Sequence, residues 1–164
     1  ALKLAAATPG PVYVRMGRAS VPCVYADDME LELGRAYVLR PGDDVTIVAC
    51  GVEIREALAA AELLAEQGVS AEVVDAFSVK PLDEETILAS ARKTGRVVVA
   101  EEHSVVGGLG SAVADVLARR HPAPCAFVGV QDVFGKSGEF EQLLGYFHLD
   151  AAAIVEAVKN VMAR

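Results

Sequence analysis

Aliphatic runs of strand length alternate with longer stretches of helical period across residues 45–130, and this alternation constrains the chain more than any other feature. Val45-Thr46-Ile47-Val48-Ala49-Cys50, Ala71-Glu72-Val73-Val74-Asp75, Arg96-Val97-Val98-Val99-Ala100 and Cys125-Ala126-Phe127-Val128-Gly129-Val130 read as buried strands. Between the first two, residues 53–67 place Ile54, Leu58, Ala61, Leu64 and Ala65 at helical spacing, and Gly68 closes that helix. Asp83-Glu84-Glu85 opens a second helix with acids in its first turn, where the helix dipole favours them. A third helix spans about Leu109 to Arg120. Strands alternating with helices of roughly 10–15 residues imply right-handed βαβ crossovers, a mostly parallel sheet and helices on both faces.

Tyr37-Val38-Leu39 is separated from the first run only by Arg40-Pro41-Gly42-Asp43-Asp44, too short a link for a parallel crossover. It is expected to pair antiparallel with the strand at 45–50. Asp150 caps a final helix whose Ile154, Val155, Val158 and Met162 pack back onto the sheet. The expected fold is an α/β domain over residues 34–164. It has three α/β/α layers around a mostly parallel five-stranded sheet carrying one antiparallel strand.

Residues 1–33 stand outside this unit. Ala1 to Ala7 looks like the end of a helix, and Pro11-Val12-Tyr13-Val14-Arg15-Met16 like one lone strand. A lone strand leaves its backbone groups unpaired, so it is expected to belong to a sheet completed by other strands. The acidic stretch 23–33 reads as a linker. Because the sequence starts at Ala1 rather than Met, the chain is expected to be processed or a piece of something longer.

Composition narrows the function classes. The net charge of −8 disfavours nucleic acid and anionic membranes, both of which attract basic faces. No apolar run approaches the ~20 residues of a membrane span, and residues 1–7 lack the features of a signal peptide. Cys23, Cys50 and Cys125 are dispersed, which suits reduced thiols in the cytoplasm. His103, His121 and His148 are equally scattered, without zinc-site spacing.

Ligands of open parallel sheets bind beyond the carboxyl ends of the strands. Those ends are expected to lead into loops at 50–53, 77–81, 101–110 and 131–139. The third holds the most chemistry: Glu101-Glu102-His103-Ser104 followed by Gly107-Gly108-Leu109-Gly110-Ser111. Two acids beside a histidine suit proton transfer, and glycines at a helix start suit a phosphate. The pattern is neither a Walker loop nor Gly-x-Gly-x-x-Gly, and no basic residue lies within it. A tight turn with a hydrogen-bonded interface is therefore favoured over catalysis. Ser104, Ser111 and Ser137 lack the Gly-x-Ser-x-Gly elbow of a nucleophile, and 132–136 reads as a surface turn. Arg15 and Arg18 leave the lone strand. A guanidinium grips phosphate oxygens well, but spacing alone leaves both as ordinary surface arginines.

Five segments occur in one order: 10–18, 45–51, 79–83 (Val79-Lys80-Pro81-Leu82-Asp83), 101–110 and 132–135 (Asp132-Val133-Phe134-Gly135). Together they resemble the C-terminal part of transketolase, especially the kind encoded as two subunits. The resemblance implies that residues 1–22 end a pyrimidine-binding domain, that 23–33 link, and that 34–164 form the C-terminal domain. It implies thiamine diphosphate and a divalent metal in the whole enzyme, held by the pyrophosphate- and pyrimidine-binding domains at a dimer interface. It implies no cofactor, no metal ligand and no catalytic residue in this chain, which is expected to be silent alone and to support a homo-oligomer. Arg18 matches the family arginine that holds the substrate phosphate, and Glu101, Glu102, His103, Gly107, Gly108 and Gly110 match a loop facing the neighbouring domain. Deoxyxylulose-phosphate synthase and the β subunit of 2-oxo-acid dehydrogenases share this layout. A non-enzymatic partner-binding module and a free-standing nucleotide binder are the remaining alternatives.

Overall fold

The computed structural model describes residues 1–26 and 28–164; Asp27, within the expected linker, lies outside the described residues. Five strands form one sheet: β1 (Tyr37–Arg40), β2 (Val45–Ala49), β3 (Ala71–Asp75), β4 (Val97–Ser104) and β5 (Cys125–Val130). Their order is β1-β3-β2-β4-β5, with every pair parallel except β1 against β3. Among the described residues, six helices accompany them: α1 (Leu2–Ala7), α2 (Glu53–Ala65), α3 (Glu84–Thr94), α4 (Leu109–Arg120), α5 (Phe140–Tyr146) and α6 (Ala151–Met162).

Period-two alternation along the central strand sorts the layers. Ile47 on β2 points to the face covered by α2 and α6, where Ile54, Leu64, Val73, Val98, Ile154 and Val158 close one core. Val48 points to the opposite face, packing with Ile87, Val99, Leu109, Val113 and Leu117 beneath α3 and α4. Helix ends follow their local chemistry. Asp83 caps α3 by accepting from the Thr86 N–H at 3.1 Å, and Gly95, at φ +71°, ends that helix in the left-handed region. Asp150 caps α6 by accepting from the Ala153 N–H at 3.0 Å.

Four expectations need correction. β1 is antiparallel as anticipated, but its partner is β3, not β2, because β2 already has β3 on one edge and β4 on the other. The turn at 40–44 reaches across by strapping the start of β3: Asp43 and Asp44 N–H groups donate to the Ser70 carbonyl at 3.1 and 2.9 Å. Gly42 permits this approach, since a Cβ there would lie 2.2 Å from the Ala71 carbonyl carbon. Second, β4 continues through Glu101, Glu102, His103 and Ser104, so these residues are strand and not loop. Third, α5 was not anticipated; it buries Leu144 and packs Phe140 partly against the core, too little for a periodic signal. Fourth, residues 11–16 form no strand and are all exposed, since no strand among the described residues pairs with them.

Candidate functional site

The carboxyl ends of β2, β3 and β4 converge, and the N-terminal segment lies across them. Glu101 is the organising residue. The residue is 4% exposed, and its two carboxylate oxygens accept from the Leu109 N–H at 2.7 Å and the Gly110 N–H at 2.8 Å. A carboxylate thus occupies the positive N-terminus of α4, where free amides would otherwise hold a ligand anion. The glycines serve this contact. A Cβ on Gly108 would lie 2.0 Å from Glu101 Oε2, and one on Gly110 would lie 2.8 Å from the Phe127 ring. Gly107 turns the chain at φ +81°, and its N–H donates to Ser111 Oγ at 2.8 Å.

His103 and Glu102 point to different neighbours, as adjacent strand residues do. His103 Nδ1 lies 2.8 Å from the Ser104 carbonyl and 3.9 Å from Glu101 Oε2, with the ring partly exposed. Glu102 faces the N-terminal segment, where Arg15 approaches its Oε2 at 3.9 Å. Gly17 rests on the β2–α2 turn, since a Cβ there would lie 3.0 Å from Val52 Cγ2. Arg18 follows one residue later and is exposed. The structure therefore gathers Glu101, His103, Gly107, Gly108 and Gly110 at the start of α4, and gives Glu102 and Arg15 to a separate contact on the way to Arg18.

Two buried acids at these strand ends were not singled out from the sequence. Asp75 ends β3 at 4% exposure and accepts from the Tyr25 hydroxyl, which roots the 23–33 segment on the sheet. Burial pushes the Asp75 carboxyl up to about 6, against the lowering effect of the Tyr25 hydrogen bond. Tyr25 packs edge-on against Tyr37, which in turn lies beside Phe77, each pair of rings 6.0 Å apart. Glu53, in the first turn of α2, is fully buried, and neither of its oxygens has a hydrogen-bond partner among the described residues. Its signal was an acid directly after the strand and turn Val48-Ala49-Cys50-Gly51-Val52, a place that reads in sequence as an ordinary helix-start acid. Cys50 sits among these acids; burial, then Glu101 and Asp75, push its thiol up to about 12, the opposite of an activated cysteine.

This arrangement offers a filled helix N-terminus, a buried acidic floor and a cationic N-terminal segment across its rim. It offers no gathered nucleophile and base. Among the described residues, no three His, Cys, Asp or Glu side chains come together as metal ligands.

Known proteins are similar to this chain in sequence and in fold. The family model described as "Transketolase, C-terminal domain" matches residues 34–154. The 6-deoxy-6-sulfo-D-fructose transketolase subunit SqwH of Clostridium sp. (strain MSTE9) is 49% identical over 94% of this chain and 48% of its own length. A subunit of the apulose-4-phosphate transketolase of Phocaeicola vulgatus is 42% identical over 93% of this chain and 49% of its own length. Among solved structures, a split-gene transketolase described as an inactive β4 tetramer matches with a TM-score of 0.96 and 51% identity, covering 99% of this chain and 53% of that one. The chain spans about half the length of the curated relatives it matches. The family match and the likeness of fold agree: this chain belongs to the transketolase C-terminal domain family.

Proposed function

We propose that this chain is the C-terminal part of a thiamine-diphosphate-dependent transketolase that moves a two-carbon ketol unit between sugar phosphates. Residues 34–164 are its structural and oligomer-supporting domain, 23–33 its linker, and 1–22 the end of the pyrimidine-binding domain. The observation that carries this division of labour is the Glu101 carboxylate seated on the N-terminus of α4. It fills with a side chain a glycine-rich helix start that could have received a phosphate. The cofactor supplies the carbanion chemistry, and the described residues do not fit it, with the amides of α4 already used and no gathered metal ligands. Cofactor and metal belong to the pyrophosphate- and pyrimidine-binding parts of the assembled enzyme, and the chain alone is silent.

Arg18 is the substrate-phosphate residue. Its exposure at the rim of the strand ends supports that role, as do the anionic sugar substrates in the names of the two curated relatives. The end of β4 and the turn that follows it to Gly110 face the neighbouring domain, with Val106 on that turn and Phe134 on the 131–139 loop offering apolar surface at 66% and 98% exposure. A cytoplasmic setting accords with three free cysteines. Among the described residues, no helix is long and apolar enough to cross a membrane.

The test is Arg18→Ala in the enzyme assembled with its partner subunit. Loss of one charge-assisted contact to phosphate costs about 1.5–3 kcal/mol, so KM for a phosphorylated ketose is expected to rise about 10- to 100-fold. KM for an unphosphorylated ketol donor stays near the wild-type value. An unchanged KM for the phosphorylated substrate refutes the role of Arg18, and ketol transfer by the chain alone refutes its silence.

A further inference from the structure

We propose that Glu53 is held as a neutral carboxylic acid and that its ionisation is a proton-driven switch on the seat of residues 15–18. The functional consequence rests on the reading of Arg18 as the phosphate residue. The switch itself rests on geometry. Glu53 is fully buried at the first turn of α2, and neither oxygen meets a hydrogen-bond donor among the described residues. A carboxylate in such a place loses its hydration without replacement, which disfavours the charged form.

The surrounding charges make this worse. Glu56 on the same helix, Glu102 on β4 and Asp150 at the cap of α6 all act against ionisation of Glu53. Arg55 is the cation that favours it, and its guanidinium is already committed. Arg55 Nε donates to Glu56 Oε1 at 2.7 Å, while its two terminal nitrogens donate to the two Glu141 oxygens on α5, each at 3.0 Å. The neighbouring acids are occupied as well: Glu56 Oε2 accepts from the Ala151 N–H, and Asp150 from the Ala153 N–H, both at 3.0 Å. Cys50, at the end of β2, brings a thiol that is itself held neutral. Burial first, then Glu56 and Glu102, push the Glu53 carboxyl up to about 8.

Two contacts connect Glu53 to the N-terminal segment. Val52, its chain neighbour, carries Gly17, and Glu102, one of its like-charged neighbours, carries Arg15. Ionised Glu53 repels Glu102 and draws water under Val52, so both supports of the 15–18 segment are disturbed together. Below about pH 8 the acid is neutral and the seat is set; above it, the seat loosens and Arg18 loses its fixed position.

Carboxyl carbon NMR of the isotope-labelled full chain tests the first step, with the Glu53 signal assigned by through-bond correlation to its own backbone. A midpoint near 8 is expected, and a midpoint in the ordinary glutamate range overturns the proposal. Glu102→Gln removes one repelling charge and is expected to move that midpoint downward. This arm holds even where Glu53→Gln fails to fold, and an unmoved midpoint refutes the coupling. The second step is read in the assembled enzyme as KM for a phosphorylated ketose relative to an unphosphorylated donor, at pH 7 and pH 9. The ratio is expected to rise several-fold in the wild type and to stay level in Glu53→Gln. A parallel rise in both, or no rise in the wild type, overturns the switch. Arg18→Ala measured alongside separates the two readings: if it leaves the ratio at pH 7 unchanged, the phosphate role of Arg18 fails while the Glu53 titration still stands on its own.

Discussion

Glu101→Gln is the sharpest perturbation of this architecture, because it changes one atom at the junction of β4 and α4. Both Glu101 oxygens accept backbone N–H groups, from Leu109 at 2.7 Å and Gly110 at 2.8 Å, in a setting only 4% exposed. A glutamine amide has one accepting oxygen and one NH2 group, so whichever way it turns, one N–H faces another donor. Leaving a buried donor unsatisfied costs about 1–3 kcal/mol. Removing the negative charge from the helix N-terminus costs a further ~0.3–1 kcal/mol, somewhat more when buried. The expected loss is therefore about 1.3–4 kcal/mol, and domains of this size shift Tm by roughly 2–4 °C per kcal/mol, so Tm falls by about 3–16 °C. Urea unfolding at pH 7 gives the free energy and calorimetry the temperature. Gly108→Ala supplies the cross-check, since its Cβ would lie 2.0 Å from Glu101 Oε2. Combined with Glu101→Ala, which removes that oxygen, Gly108→Ala is expected to cost clearly less than it does alone. If Glu101→Gln stays within about 0.5 kcal/mol of wild type, the range of an ordinary surface change, the carboxylate is not what holds α4 in place.

Two further outcomes follow from the packing. Tyr25→Phe removes the hydroxyl that favours the ionised form of the buried Asp75, whose carboxyl sits at about 6. Its native value already lies above the unfolded one, so Asp75 costs stability progressively as pH rises from about 4 to 6 and no further beyond. In Tyr25→Phe the titration moves upward, and the loss is expected to continue above pH 6. Denaturation midpoints at pH 5, 6 and 7.5 check this, and a pH profile parallel to wild type contradicts it. Ile154→Ala empties a fully buried position where α6 meets the sheet, and urea unfolding is expected to show a loss of about 2–5 kcal/mol. A loss below 1 kcal/mol would mean that α6 is not part of the core.

Much of the fold was legible because its signals are local and repeated. The aliphatic runs that became β2, β3 and β5 needed only their own composition, and Asp83 and Asp150 mark helix starts through chemistry confined to a few residues. The pairing of β1 was not legible in the same way. Its antiparallel direction follows from the length of the turn, but its partner depends on which edge of β2 is already taken. That is settled some 30 residues later, when β3 arrives. The residues 11–16 mislead for a related reason, since alternating valines and a tyrosine carry strand propensity without a neighbour to receive their hydrogen bonds.

The site divides along the same line between local and distant causes. Glu101 was visible as an acid near a glycine-rich helix start, yet two opposite roles fit that pattern: a proton-transfer group beside His103, or a cap for α4. The distinction turns on where the carboxylate points, and β4 settles it by continuing four residues beyond the aliphatic run, which carries Glu101 to the helix amides. Glu53 was less visible still. An acid in the first turn of a helix is ordinarily a solvent-facing partner of the dipole, and sequence periodicity offers no reason to bury one. Only the arrival of β4 and the cap of α6, distant in sequence, enclose it among Glu56, Glu102 and Asp150. Acids placed by local rules at strand ends thus acquire their chemistry from what the topology stacks against them. In this chain the chemistry seen at Glu101 is capping of α4; the proton binding proposed for Glu53 and the anion binding proposed for Arg18 rest on the same stacking of distant elements against strand ends.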